Sequence, residues 1–311
     1  MTATGTTGDA DGVEASDDAT ATLGHRVARS VESVSVTERG TVSYAEYGDP
    51  DGSPAVFLHG TPGSRVLAAL FDDAAREFGV RVVSVDRPGY GRSTPWPSRS
   101  LADTETFVEA VLDDVGVDRA GVVAFSGGGP HALALAATAP DRVREVDVVS
   151  GAVPTASGVD TPTPIRVLGT LARRTPRLLG TLLRGQAWLA GRASPAVVLA
   201  QYTTGDEHEL TDREAAIVRR DFVTAFDRGA AGAVTELATT TGEWDIPLEA
   251  VECPVRLWHG DDDTNVPLAG AERLAARLPT AVVHQIEGAD HLGTLVRSRS
   301  AVLRHQCEHD G

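Results

Sequence analysis

The chain has 311 residues, 41% hydrophobic and 23% charged, proportions ordinary for a soluble globular protein built as one large domain or one domain carrying an insertion. Acidic residues outnumber basic ones 44 to 28, every basic one is arginine, and the net charge of −16 argues against a nucleic-acid partner, which needs a basic footprint. Two cysteines, Cys253 and Cys307, are too few for a disulfide framework and imply a reduced, cytoplasmic protein, and no uncharged apolar run approaches the ~20 residues that stable membrane insertion requires.

Residues 1–30 are rich in Thr, Asp, Ala and Gly and lack an apolar signal-peptide core, so they read as a disordered acidic tail. The alternating runs Val31 to Glu38 and Thr41 to Tyr47, separated by Arg39-Gly40, predict an antiparallel hairpin. Six further β-rich runs follow: Ala55 to Gly60, Val80 to Gly89, Gly121 to Gly127, Val143 to Gly151, Val255 to Gly260 and Ala281 to Gly288. Several are apolar nearly throughout, as in strands covered on both faces. Helical patterns lie between them at Val66 to Phe78, Leu101 to Val115, His131 to Ala139 and Ala269 to Arg277. Alternation of this kind implies right-handed crossovers and a mostly parallel sheet. From Pro154 to about Ile246 no convincing strand occurs; leucine-rich helical segments and a capping box at Thr211-Asp212-Arg213-Glu214 occupy the stretch. The chain therefore divides into a core over residues 31–153 and 247–311 and a helical cap inserted over 154–246.

Open α/β folds bind ligands at the carboxyl ends of their strands, which makes the loops after these runs the candidates for chemistry. "GVVAFSGGG" places Ser126 at such an edge, in a tight strand-to-helix turn that projects its Oγ. Ala124 and Gly128 take the flanking positions of the nucleophile-elbow pattern G-x-S-x-G, with alanine for the first glycine. A glycine-rich turn with an incidental serine is the competing reading. In "HGTPGSR", His59 to Arg65, the residues Gly60, Thr61 and Gly63 let backbone N–H groups face a shared cavity. A carbonyl oxygen gaining negative charge needs two donors, and the N–H groups of Gly127 and Thr61 are the candidates; the alternative is an ordinary βα turn. "WHGDDDTNVP" ends a strand in Asp261, Asp262 and Asp263, and "EGADHLGTL" places His291 after the next. A serine nucleophile needs a base of suitable pKa, and the imidazole needs an acceptor that fixes its tautomer.

Together, "AFSGGG", "HGTPGSR", "DRPGYGRS" (Asp86 to Ser93), "CPVRLWHGDDDTNVP" and "GADHL" resemble the α/β-hydrolase superfamily, in its broad branch of single-domain hydrolases with a helical cap. The likeness runs from about Val31 to the last helix. It implies a mostly parallel eight-stranded sheet with helices on both faces. It also implies a serine hydrolase, esterase-like, working through an acyl-enzyme with Ser126, Asp263 and His291, an oxyanion hole from Thr61 and Gly127, and His59 and Gly60 in support. In the family pattern the acid follows a glycine by three positions and precedes a proline by four, which selects Asp263; Asp261 and Asp262 then read as surface charge. His131, His259 and His284 read as packing residues, and His305 and His309 match no motif. A metal site from His259, the aspartates and His291 lacks zinc-ligand spacing, and no cofactor is expected.

A serine at the elbow disfavours the aspartate-dependent dehalogenase and epoxide-hydrolase branches. Haloperoxidases, C–C bond hydrolases and proline iminopeptidases remain open, although the last usually carry a glycine where Thr61 stands. Two readings of other classes are a small-molecule receptor with little turnover and a lyase reusing the same three residues. The expected partner is a small-molecule acyl substrate; the sequence does not reveal the oligomeric state. The lysine-free acidic composition resembles that of proteins from salt-loving microbes, and GC-rich coding gives the same arginine bias. Thr161 to Gly205 contains no acidic residue but carries Arg166, Arg173, Arg174, Arg177, Arg184 and Arg192, with Leu168, Leu171, Leu178, Leu179, Leu182, Leu183 and Trp188 at roughly helical spacing. In the plain reading the leucines pack on the core and the arginines pair with its acidic surface; alternatively the cap offers an apolar wall and a positive rim to an anionic substrate, or to one presented at an anionic membrane surface.

Overall fold

Successive side chains of a strand point to opposite faces of its sheet, so strands that are apolar throughout need cover on both sides. The computed structural model describes residues 30–154, 162–203 and 210–307; the expected acidic tail and His309 lie outside them. Eight strands form one sheet: β1 (Glu32–Ser35), β2 (Thr41–Gly48), β3 (Ser53–Leu58), β4 (Val80–Asp86), β5 (Ala120–Phe125), β6 (Val143–Val149), β7 (Val255–Gly260) and β8 (Ala281–Ile286). Their order is β1-β2-β4-β3-β5-β6-β7-β8, with β1–β2 and β2–β4 antiparallel and all other pairs parallel. The mostly parallel eight-stranded sheet is thus the one expected. The first strand is shorter than the sequence implied, because Val36 and Gly40 close a 3-10 turn over Thr37–Arg39 through a 2.7 Å backbone hydrogen bond.

The α-helices among the described residues are α1 (Asp72–Glu77), α2 (Thr104–Asp114), α3 (Gly129–Thr138), α4 (Thr163–Arg174), α5 (Pro176–Ala190), α6 (Pro195–Leu199), α7 (Asp212–Thr224), α8 (Ala231–Thr240), α9 (Leu268–Ala275) and α10 (His291–Cys307). On one face Val56, Leu58, Val122, Ala124, Val146 and Val148 pack with Phe107 and Leu112 of α2, Leu133 of α3 and Leu274 of α9. On the other, Ala55, Phe57, Val123, Phe125 and Val149 pack with Ala75 of α1 and Leu292, Leu295 and Val302 of α10. Each fully buried Val, Leu or Phe contributes roughly 1.5–3 kcal/mol relative to exposure. The predicted helix over Val66 to Phe78 is instead a 3-10 segment, Arg65–Leu70, followed by α1; all six residues of the 3-10 segment are buried, so this segment is not an amphipathic α-helix with one apolar stripe.

The chain passes from β3 to β4 on one side of β3 and comes back to β5 on the other. The loops leaving β3 and β5 therefore diverge at their carboxyl ends, the switch point at which open α/β sheets bind ligands. Between β6 and β7 lie α4 to α8. Helix α5 buries Leu179, Leu183, Ala187 and Ala190 and leaves Leu178, Leu182 and Leu189 more than half exposed, so only part of the leucine pattern packs inward. Nor do the arginines of this stretch find acidic partners: among the described residues none of Arg166, Arg173, Arg174, Arg177, Arg184 and Arg192 makes an ion pair. Arg173 donates to Thr241 Oγ1 at 3.0 Å, and Arg192 lies 4.0 Å over the Trp188 ring. Among the described residues no helix is long and apolar enough to cross a membrane.

Candidate active site

Phe125 ends β5 in extended backbone, and Ser126 then turns left-handed, φ 50°, before a short 3-10 segment enters α3. A non-glycine residue in that region is strained and persists only where its surroundings enforce it. Gly127 and Gly128 show how. A Cβ on Gly127 would collide with the Thr61 side chain, and one on Gly128 with the Leu58 carbonyl, so the turn packs flat against the end of β3. Two of the three glycines after Ser126 are thus required by the approach of the end of β3 and the "HGTPGSR" loop, whereas Gly129 lies against Val148 of β6. Thr61 N sits 3.2 Å from the position of that missing Gly127 Cβ, which places both sequence-predicted oxyanion donors beside Ser126.

His291 begins α10, where Asp290 Oδ1 accepts the Gly293 N–H at 2.8 Å. Its Nε2 lies 2.9 Å from Ser126 Oγ, and its Nδ1–H donates to Asp263 Oδ2 at 2.7 Å. Asp263 Oδ1 accepts the N–H groups of Asn265 and Val266, both at 2.9 Å. Burial works to raise the Asp263 carboxyl, but His291, the Val266 amide and His259 outweigh it and hold the group below its ordinary range. The structure therefore joins Ser126, His291 and Asp263 in one hydrogen-bonded line. Asp261 is not part of it; exposed, it accepts from Gln285 Nε2 and from the Gly288 N–H, bracing the next loop. Two rings frame His291: Phe125 at 5.0 Å and Tyr202, stacked within 13°, at 6.4 Å. His259 is buried and donates from Nε2 to the Val266 carbonyl at 2.7 Å, and His284 stacks on Trp258.

A family profile described as the alpha/beta hydrolase fold matches residues 54–297. The chain belongs to the α/β-hydrolase fold family. Among curated proteins, it is 30% identical over 281 residues to a 2-hydroxy-6-oxononadienedioate/2-hydroxy-6-oxononatrienedioate hydrolase of Paraburkholderia phymatum, covering 88% of this chain and 93% of that one. A non-heme chloroperoxidase of Streptomyces lividans is 29% identical, over 83% and 92%. Among solved structures, the enol-lactonase of Burkholderia xenovorans LB400 superimposes with a TM-score of 0.68 at 19% identity, covering 88% and 97%, a likeness of fold.

This member of the α/β-hydrolase fold family holds its His59–Arg65 loop with charges that the sequence did not reveal. His59 is buried with Nδ1–H on the Gly60 carbonyl at 2.8 Å and Nε2 accepting the Arg87 N–H at 3.3 Å. Burial, with Arg87 beside it, pushes its pKa well below the ordinary value, so the ring is neutral. Arg87, the second residue of "DRPGYGRS", donates to the carbonyls of His59 and Gly60. Glu236 of α8 closes the cluster: it accepts from Arg87 Nε and Nη2, both at 2.7 Å, and from Arg99 Nη2 at 2.6 Å, Tyr90 OH at 2.8 Å and Thr61 Oγ1 at 2.7 Å. His131, expected to be a satisfied packing residue, bonds Thr104 through Nδ1 at 2.7 Å, while its Nε2 sits 3.3 Å from Glu236 Oε1 without hydrogen-bond geometry. Burial lowers the His131 pKa to about 4 despite the nearby carboxylate. At the other end of the loop, Asp221 of α7 accepts from Ser64 N at 2.6 Å and Ser64 Oγ at 2.8 Å.

Proposed function

We propose that this protein is a serine hydrolase acting on a carboxylic ester or related acyl substrate through an acyl-enzyme. The observation that carries this reading is the line Ser126–His291–Asp263, at 2.9 and 2.7 Å, set at the carboxyl edge of the sheet. In this reading Ser126 Oγ attacks the acyl carbon while His291 Nε2 takes its proton; the tetrahedral oxygen is stabilised by the N–H groups of Thr61 and Gly127. His291 then protonates the leaving group, and a water deprotonated by the same nitrogen releases the acid. Asp263 keeps the proton on Nδ1 and supports the imidazolium. The helices between β6 and β7 serve as a cap over this edge.

A second reading, cleavage of a C–C bond in an oxo-acid with the same three residues, is favoured by the 30% identical relative, whose name gives it dianionic dienedioate substrates. The fold alone does not choose between them. The test is a fluorophosphonate probe followed by panels of acyl esters and oxo-dienoates. Labelling of the wild type is expected, with Ser126→Ala unlabelled and kcat lowered about 10⁴- to 10⁶-fold. Full labelling of the alanine variant overturns the assignment. Turnover of oxo-dienoates with no ester hydrolysis selects the second reading.

A further inference from the structure

Resting on that reading, we infer that Glu236, on a helix between β6 and β7, is a positioning residue that sets the oxyanion loop, so that docking of these helices and the aim of the Thr61 N–H are coupled. A peptide unit is planar, and in its trans form the N–H points opposite to the preceding C=O. Gly60 C=O and Thr61 N–H belong to one such unit. Whatever pulls the Gly60 carbonyl one way directs the Thr61 N–H the other, and that carbonyl accepts from Arg87 Nη2 at 3.1 Å and from His59 Nδ1 at 2.8 Å. Arg87 can hold this pose because Glu236 grips the Nε and Nη2 edge of its guanidinium, next to the edge that meets the two carbonyls.

The same carboxylate also takes the Thr61 hydroxyl, so side chain and backbone of Thr61 are both referred to α8. Helix α8 is itself fixed one turn earlier: Gly232 N–H donates to the Gly89 carbonyl at 3.2 Å, at an approach where a Cβ on either glycine would collide with the other's backbone. Gly232 and Glu236, four residues apart, lie on the same face of α8. A buried ion cluster adds little net stability over apolar packing of equal volume. What it supplies here is geometry: Arg87, Arg99 and Glu236 are all fully or almost fully buried, and two of Glu236's donors, Arg87 and Thr61, belong to or hold the loop that faces Ser126.

The experiment compares two single-hydroxyl deletions at the same carboxylate. Thr61→Val removes the loop's bond to Glu236, and with it the 3.3 Å bond that Arg87 Nη2 donates to the same hydroxyl, and keeps the Thr61 N–H; Tyr90→Phe removes a bond from outside the loop. On a 4-nitrophenyl ester, Thr61→Val is expected to lower kcat roughly 10- to 100-fold with KM within about threefold, the scale of a small misplacement. Tyr90→Phe is expected to stay within about threefold in kcat. Glu236→Gln, if it folds by circular dichroism, should lose at least as much kcat as Thr61→Val. Unchanged kcat in Thr61→Val, or an equal loss in Tyr90→Phe, overturns the inference. The serine reading is scored separately by phosphonate labelling of the wild type: a labelled, active wild type with an unaffected Thr61→Val sinks the role of Glu236 alone.

Discussion

Three consecutive aspartates, Asp261 to Asp263, have different surroundings. Asp263 is buried against His291, Asp261 braces the Gly288 turn at the surface, and Asp262 is exposed with its N–H on the Ala289 carbonyl. Asp263→Asn replaces an acceptor by an amide that supports the wrong imidazole tautomer, and kcat should fall by about 10⁴. Asp261→Asn and Asp262→Asn should stay within a few-fold of wild type. Kinetics on all three with one ester decides the matter: equal losses would point to a general effect of acidity and end the assignment. Asp263 was singled out from its two neighbours only through the family resemblance, whose pattern sets the acid three positions after Gly260 and four before Pro267, and it is the aspartate that hydrogen-bonds His291. Ser126 was legible from its neighbours, since a strained turn against another loop demands glycines next to it in sequence. Glu236 was not legible. It stands inside α8 with no punctuation around it, and it acquires meaning only from Arg87 and Arg99, 149 and 137 residues away.

The loop from Thr61 to Ser64 is gripped at both ends by carboxylates of the helices between β6 and β7, and the two differ in charge behaviour. Glu236 is held well below the ordinary range, since Arg87, His131 and Arg99 outweigh the burial that would raise it. Asp221 has no such cations in its grip; burial pushes it up to about 7 although the Ser64 hydroxyl and amide pull it down. Its folded value thus exceeds that of the unfolded chain, where the acid titrates near about 4. Folded protein keeps a proton that unfolded protein has released, so this group's contribution to stability is lost as pH rises through roughly 4 to 7, at most about 1.4 kcal/mol per pH unit. Buried His59 and His131, with lowered values, act in the opposite sense below about pH 6.5, within the same window. The readout is therefore a difference: Asp221→Asn, which mimics the protonated acid, should gain in Tm relative to wild type on going from pH 5 to pH 8. Parallel Tm curves for the two proteins would remove Asp221 from the account. At this scale sequence periodicity served the amphipathic α2 and α9 well. It misjudged the buried stretch after Ser64, where apolar residues on all sides erase the helical stripe.

Over the whole molecule, charge is unevenly spread: a protein of net charge −16 carries six arginines and no acid between Thr161 and Gly205. Among the described residues none of the six makes an ion pair. If they form a positive rim for the substrate, kcat/KM for a carboxylate-tailed ester relative to a neutral one should fall as salt rises, because exposed charges are screened within ~10 Å at 0.1 M. The ratio should also fall in Arg173→Gln and Arg177→Gln; a ratio that moves with neither salt nor substitution leaves these residues as surface charge alone. The strand order has a further consequence, for the time course of synthesis. Strands β1 to β6 and the Ser126 turn are complete long before β7 and β8 add at one edge, and Ser126 precedes His291 by 165 residues. At about 5–20 residues per second, a newly made chain holds its serine for on the order of 10–30 s before the base exists. Throughout that interval the nascent protein carries the turn but cannot use it, and in the proposed reading activity switches on only when the final edge of the sheet is laid down.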